Sequence, residues 1–163
     1  MATETLDVTS MLPNQFEPLM GNRFVLLIEG IDSFLLKTAT APSYKTEEIK
    51  MSWVNATRYL AGKTEFETIE VVLYQAIAPS GAQQVMEWIR LNYESVSGRA
   101  GYADFYKRDI QLKQLDPVGT VVQLWDIKGA WCTDVKFGEL NYDEQKPVEI
   151  SLTIRYDNAV LQF

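Results

Sequence analysis

The sequence predicts an α+β fold that is mainly β: a β-sandwich or barrel of about seven or eight strands, one flanking α-helix and an extended N-terminal arm. Apolar and polar residues alternate in several stretches, a period typical of half-buried strands. Only residues 80–97 carry apolar residues at helical spacing. Residues 1–21 follow neither period, so we treat them as the arm and residues 22–163 as a single domain.

The arm, residues 1–21, is richer in apolar residues than a disordered tail usually is. Leu12 and Phe16 are among them, and Pro13 and Pro18 interrupt the segment. This composition predicts a segment that docks, either on its own domain or on a neighbouring molecule.

The first half of the domain predicts a series of short strands. Apolar runs at 22–29 and 33–39 flank a turn. Strict alternation at 45–54 predicts a strand with one buried face, and 65–74 predicts another. Between these two strands the alternation is lost, so residues 55–64 predict a loop.

The predicted helix, 80–97, has local signals at both ends. Ser80 is a good N-cap, and Gln83 three residues later permits a capping box. Gly98 is suited to the position just after the last turn.

The last third again predicts strands. Residues 109–115 and 120–131 surround Pro117-Val118-Gly119 and predict a hairpin. A short strand is predicted at 137–142, and residues 147–156 alternate more regularly than any other stretch.

Composition and motifs give no sign of an enzyme active site, and we expect that the chain is not an enzyme. The net charge of −7 argues against a surface that grips nucleic acid, because phosphate binding needs clustered Lys and Arg. The absence of histidine removes His-based triads and zinc sites. No nucleotide-binding, metalloprotease or nucleophile-elbow motif occurs, so we predict no catalytic residue, metal or cofactor.

Two further features bear on the environment of the chain. The single cysteine, Cys132, excludes an intramolecular disulfide, fits a reducing cytoplasm and is expected to be a buried small hydrophobe. No stretch is apolar and long enough to predict a membrane segment.

Several segments, in order, resemble a known family. Residues 126–135 (DIKGAWCTDV), 138–143 (GELNYD) and the strand 148–156 resemble the closing segment of the tail-tube proteins of contractile-tailed bacteriophages. The run 37–42 (KTATAP) resembles the end of that family's second strand, and Asn55 with 60–63 (LAGK) and Phe66 resembles a loop before its mid-chain strand. The likeness extends over about residues 22–156. Cys132 stands where the family often has proline, and the arm is longer than expected.

The resemblance implies a structural subunit of the inner tube of a contractile phage tail. Six copies form a ring, and stacked rings conduct DNA and tape-measure protein during ejection. A sheath protein would surround the tube, with baseplate and tail-terminator proteins at its ends. The subunit would be assembled in the host bacterial cytoplasm and reside in the virion tail.

Two alternatives stay open. The same architecture serves in phage-derived contractile injection or secretion systems that carry protein cargo. A monomeric β-barrel that binds a small apolar ligand, with tryptophans in its cavity, is a different class of protein with the same strand pattern.

Candidate site residues follow from the faces of the predicted strands. The polar faces are expected to line the tube, and their residues are Glu48, Lys50, Thr68, Glu70, Glu149, Ser151 and Arg155. Apolar residues in irregular segments are expected to form ring-to-ring contacts: Leu12, Phe16, Tyr59 and Leu60. Trp131 is expected to anchor the end of strand 120–131 against the core or an adjacent subunit.

Overall fold

A computed structural model describes residue 12 and residues 15–163, and its strands and helices lie mostly where the apolar pattern predicts them. The described residues form nine strands and two helices: β1 Phe24–Ile28, β2 Leu36–Ala39, β3 Tyr44–Trp53, β4 Ala56–Phe66, β5 Ile69–Tyr74, α1 Gly81–Asn92, α2 Ala103–Tyr106, β6 Arg108–Leu115, β7 Val121–Lys136, β8 Glu149–Arg155 and β9 Asn158–Leu161. The mainly β class with one principal helix is therefore confirmed.

Seven of the strands form one open antiparallel sheet. Its order is β1-β6-β7-β8-β5-β2, and β9 pairs alongside β7. The long strand β7 joins the two halves, because its first part pairs with β6 and its second part, from Trp131, pairs with β8. The change of partner follows Gly129, whose φ of +65° is a conformation that glycine adopts without steric cost.

The two halves of the sheet share one core with α1. Ile110 and Ile127 come from one half, Val71 and Leu152 from the other, and Trp88 from the helix. The apolar faces predicted at 65–74 and 147–156 are confirmed, since their inward residues are almost fully buried: Ile69, Val71, Leu73, Ile150, Leu152, Ile154 and Tyr156. Burying one such aliphatic side chain contributes about 1.5–3 kcal/mol, so these two strands account for much of the driving force.

The helix α1 begins as predicted and ends early. The hydroxyl of Ser80 accepts a hydrogen bond from the Gln83 backbone N–H at 3.4 Å. The helix ends at Asn92, five residues before the predicted end, because the following residues satisfy their backbone groups in a turn that bridges Tyr93 to Ala100. The short helix α2 follows this turn and was not predicted.

The largest difference lies in residues 55–64. They are not a loop: β4 runs antiparallel to β3 through most of its length, joined by a two-residue turn at Val54 and Asn55. Every residue of β3 is exposed, and in β4 only Gly62 and Phe66 are partly buried. Because neither face of this hairpin packs on the core beyond Phe66 at its root, its second strand needs no alternating pattern, and the expected buried face of β3 is not formed among the described residues.

Four smaller differences concern the strands. Residues 33–35 form a 3-10 turn before β2, and residues 137–142 contain no strand. The strand predicted at 120–131 continues to Lys136, and the short strand β9 was missed.

Candidate functional site

One face of the half-sheet β2-β5-β8-β7 is polar and turned away from the core. In register, Thr153 of β8 lies between Glu70 of β5 and Asp134 of β7. Two residues earlier in β8, on the same face, Ser151 lies between Val72 of β5 and Lys136 of β7. These side chains point outward because the residues that alternate with them are buried, so the face is available to solvent or to a partner.

Four of the seven residues predicted to line a tube are brought together here. Glu70, Glu149, Ser151 and Arg155 lie on neighbouring strands of this face. Thr68 is exposed just ahead of β5. Glu48 and Lys50 lie apart from the others, on the β3–β4 hairpin.

Charges of both signs are interspersed on this face. Lys37 forms an ion pair with Glu149, and that hydrogen bond raises the pKa of the lysine. Lys136 and Arg155 add positive charge, and Glu70 and Asp134 add negative charge, so the three cations are matched by three carboxylates. A mixed face of this kind offers no cluster of cations that would hold phosphates.

The β3–β4 hairpin carries an apolar surface that none of residues 12 and 15–163 covers. Ile49 lies opposite Leu60, and Met51 and Trp53 share their face. All four side chains are about half exposed, and Val54 at the tip is 99% exposed. Contiguous exposed apolar residues of this kind mark interaction surfaces in soluble proteins.

Aromatic residues tie the root of the hairpin to the domain. The ring of Phe66 lies between those of Tyr44 and Tyr156, at 6.1 and 5.6 Å between centroids. The hydroxyl of Tyr156 donates to the Ser43 carbonyl at 3.2 Å. The root of the hairpin is therefore packed against the domain, whereas its outer part is not.

The residues predicted for ring-to-ring contacts are all exposed. Leu12 and Phe16 lie in the arm, and Tyr59 and Leu60 lie on β4. Tyr59 is opposite Lys50, on the other face of the hairpin from Leu60. The sequence analysis did not place Ile49, Met51 and Trp53 on this exposed surface. The signal available in the sequence was the group of apolar residues in 55–64, which follow neither the strand nor the helix period.

Trp131 is half-buried at the point where β7 changes partner. Its ring packs edge-on against Tyr106, 6.0 Å between centroids, and in register it lies opposite Arg155. The adjacent Cys132 packs against the core, and burial raises the pKa of its thiol to about 12. Trp131 is thus placed where a neighbouring molecule could complete its burial, and its anchoring role stays a prediction.

The described part of the chain offers little for cofactor chemistry. Within residues 12 and 15–163, no group of three or more Cys, Asp or Glu side chains is placed to hold a metal ion. None of the helices there has the length and apolar character required to cross a membrane.

Comparison with known proteins identifies the family and the fold. Residues 21–159 match the family described as T4-like virus tail tube protein gp19. No curated protein matches the chain in sequence.

Several solved structures have the same fold. The cap that terminates the tube of the anti-feeding prophage has a TM-score of 0.74 at 15% identity, over 96% of this chain and 99% of that one. The sheath–tube complex of an extracellular contractile injection system has 0.68 at 15%, over 97% and 99%. Hcp1 from Flavobacterium johnsoniae has 0.52 at 12%, over 86% and 94%. At these identities the likeness shows the fold.

Proposed function

Because this chain belongs to the T4-like virus tail tube protein family, as a tail tube protein of a contractile phage or of a phage-like injection or secretion system, we propose that it is a subunit of the inner tube of a contractile phage tail. Six copies form a ring, and rings stack into a tube that conducts DNA and tape-measure protein. The observation that carries the proposal, beyond family membership, is the exposed apolar face of the hairpin, which the described residues leave uncovered.

Ring closure is supported by the unpaired edges of the sheets. The main sheet is open, and β1 and β2 are its outermost strands. The β3–β4 hairpin is a separate two-stranded sheet, so each of its strands also has a free edge. Free backbone donors and acceptors at such edges are templates for pairing with another chain. A closed ring would pair the edges that residues 15–163 of a single chain leave open.

We assign the polar sheet face to the lumen. Glu70 and Ser151 would line the channel, with Glu149 among them in its pair with Lys37, and Arg155 would lie at the end of this face, where one ring meets the next. The mixed charges support this assignment, because a basic lining would retain DNA phosphates and slow their passage. Solvent accessibility in an assembled tube tests it, and finding these side chains on the outer wall would refute it.

Ring-to-ring contacts are assigned to the hairpin and the arm. Tyr59 and Leu60 of the hairpin and Leu12 and Phe16 of the arm are exposed in the isolated chain. Trp131 would complete its burial against an adjacent subunit. In the tail, a sheath would surround the tube, with baseplate and terminator proteins at its ends, after assembly in the host cytoplasm.

The tube of an injection or secretion system is the second candidate. It is favoured by solved structures of the same fold from the anti-feeding prophage and from an extracellular contractile injection system. Purified, DNase-treated particles separate the two candidates: protected DNA, detected by nucleic-acid staining, supports the phage tail, and an effector protein in place of DNA, detected by mass spectrometry, supports the injection system. Family membership favours both over a monomeric ligand-binding barrel.

Electron microscopy of the purified full chain is the direct test of assembly. We expect rings or tubes with sixfold symmetry. Leu60→Glu should leave single rings but prevent their stacking into tubes, because it places a charge on the apolar face of the hairpin that we assign to ring-to-ring contacts. Val96→Glu is the matched control, since Val96 is 93% exposed in the turn after α1 and outside the proposed interface. A wild-type chain that stays monomeric at high concentration would contradict the proposal.

A further inference from the structure

A cleft lies between the root of the hairpin and the end of β8. Its volume is about 540 Å³. Phe66, Tyr106 and Trp131, each half-buried, form an aromatic floor, and Lys63 and Arg155 stand at its rim. The cleft therefore combines apolar surface with positive charge.

Charge in the cleft is only partly compensated. Lys107 is paired with Asp157 at 2.7 Å, and Lys63 is paired with Glu65 at 3.1 Å. Among residues 12 and 15–163, none forms an ion pair or a side-chain hydrogen bond with Arg155. A guanidinium beside an aromatic floor is suited to a segment that brings both a carboxylate and apolar side chains.

The N-terminal segment of this protein has that composition. Residues 1–11 (MATETLDVTSM) contain the acids Glu4 and Asp7 and no Lys or Arg. In an extended backbone Leu6 and Val8 point to one face and Asp7 to the other. Such a segment could lay two apolar side chains on the floor and direct a carboxylate to the rim.

The arm and the cleft lie at opposite ends of β6. The arm enters β1 beside Leu115, the last residue of β6, whose N–H donates to the Arg23 carbonyl. The cleft lies near the other end of β6, where Arg108 pairs with Ala130 of β7. Eight residues of strand separate these ends by about 23 Å. A head-to-tail contact joins one end of a molecule to the other end of the next, and repetition of such a contact produces an open stack.

We propose that residues 1–11 of one copy dock in this cleft on a copy in the next ring. The carboxylate of Asp7 pairs with the guanidinium of Arg155, and Leu6 and Val8 cover the aromatic floor. The fourteen residues before Gln15 reach up to about 46–50 Å when extended, which is enough to cross a ring boundary. This inference rests on the proposed tube function and adds the site that receives the arm.

Disulfide trapping tests which segment of which copy occupies the cleft. Wild-type tubes are first verified by electron microscopy, and the full-length double variant Asp7→Cys/Arg155→Cys is then assembled and mildly oxidised. We expect a ladder of dimers and higher multimers on a non-reducing gel, because each copy would be linked to the next. The single variants control for the native Cys132, and Asp7→Cys/Arg90→Cys is the matched control with an exposed position on α1.

Each other outcome overturns the inference. A cross-linked monomer would mean that the arm folds back on its own domain. Tubes without cross-links above the controls would mean that another segment, such as a neighbour's hairpin, fills the cleft; the proposed tube function would then stand. A wild-type chain that forms no tubes would refute the tube function and this inference together.

Charge exchange provides an independent readout without cysteines. Arg155→Glu should raise the concentration needed for tube assembly about tenfold, the change expected for loss of one charge-assisted hydrogen bond. Adding Asp7→Arg to that variant should restore most of the loss, whereas Arg90→Glu should have no effect. Circular dichroism verifies that each variant is folded, and failure of the double variant to recover would count against the pairing.

Discussion

Replacing Trp88 should show how much of the fold depends on the contact between α1 and the sheet. Its side chain is 2% exposed and belongs to the shared core. The indole N–H donates to the Tyr106 carbonyl at 2.7 Å, and the Arg108 guanidinium lies 5.3 Å from the ring centroid. Trp88 therefore joins α1, α2 and the start of β6 in one contact.

The magnitude follows from these contacts. Trp88→Ala removes a large buried side chain, which typically costs about 3–5 kcal/mol. Trp88→Phe retains a ring but loses the donor and leaves a cavity, so we expect a cost of about 2 kcal/mol. For a chain of this length 1 kcal/mol corresponds to roughly 2–4 °C in Tm, so Trp88→Ala should lower Tm on the order of 10 °C.

Urea unfolding followed by circular dichroism, at concentrations where the protein is monomeric, measures the free energy of unfolding directly. Trp53→Phe is the matched control, because Trp53 is about half exposed on the hairpin and should change stability by no more than about 0.5 kcal/mol. Equal effects of Trp88→Phe and Trp53→Phe would refute the reasoning, since they would mean that the core contacts of the helix do not limit stability.

Three further predictions concern single residues. Gly129→Ala should lower the free energy of unfolding by about 1–2 kcal/mol, because φ is +65° and the new Cβ would lie 2.2 Å from an oxygen of Asp157. Gly21→Ala is the control, since open space surrounds Gly21. Equal urea midpoints for the two variants would contradict this reasoning. Burial raises the pKa of Tyr156 above its ordinary value near 10. The unfolded chain therefore loses this proton first, and stability should fall as pH rises through that value; Tyr156→Phe should reduce this alkaline loss, and unchanged pH profiles from 8 to 11 would rule the effect out. Burial raises the pKa of the Cys132 thiol to about 12. At pH 8 this thiol should therefore react with a disulfide reagent at least about tenfold more slowly in the native protein than in urea. Equal rates would show that the fold does not protect it.

Local signals were sufficient wherever one face of an element is buried. The alternation in 65–74 and 147–156 identified β5 and β8 and their inward residues, because burial of one face of a strand imposes a period of two on the sequence. Ser80 located the start of α1, since an N-cap acts through a hydrogen bond to residues next to it. The ordered motifs of the last third indicated the tail-tube family, which the match over 21–159 confirms.

Only the tertiary structure showed that residues 55–64 belong to a strand hairpin, and only it located the cleft. Apart from Phe66 at its root, the β3–β4 hairpin packs neither face on the core, so burial leaves no period by which β4 could be distinguished from a loop. The cleft brings Lys63, Trp131 and Arg155 together from three strands far apart in the chain. Which side chains meet across such distances depends on strand order and on the change of partner after Gly129, and these are determined by packing of the whole chain and not by any local segment.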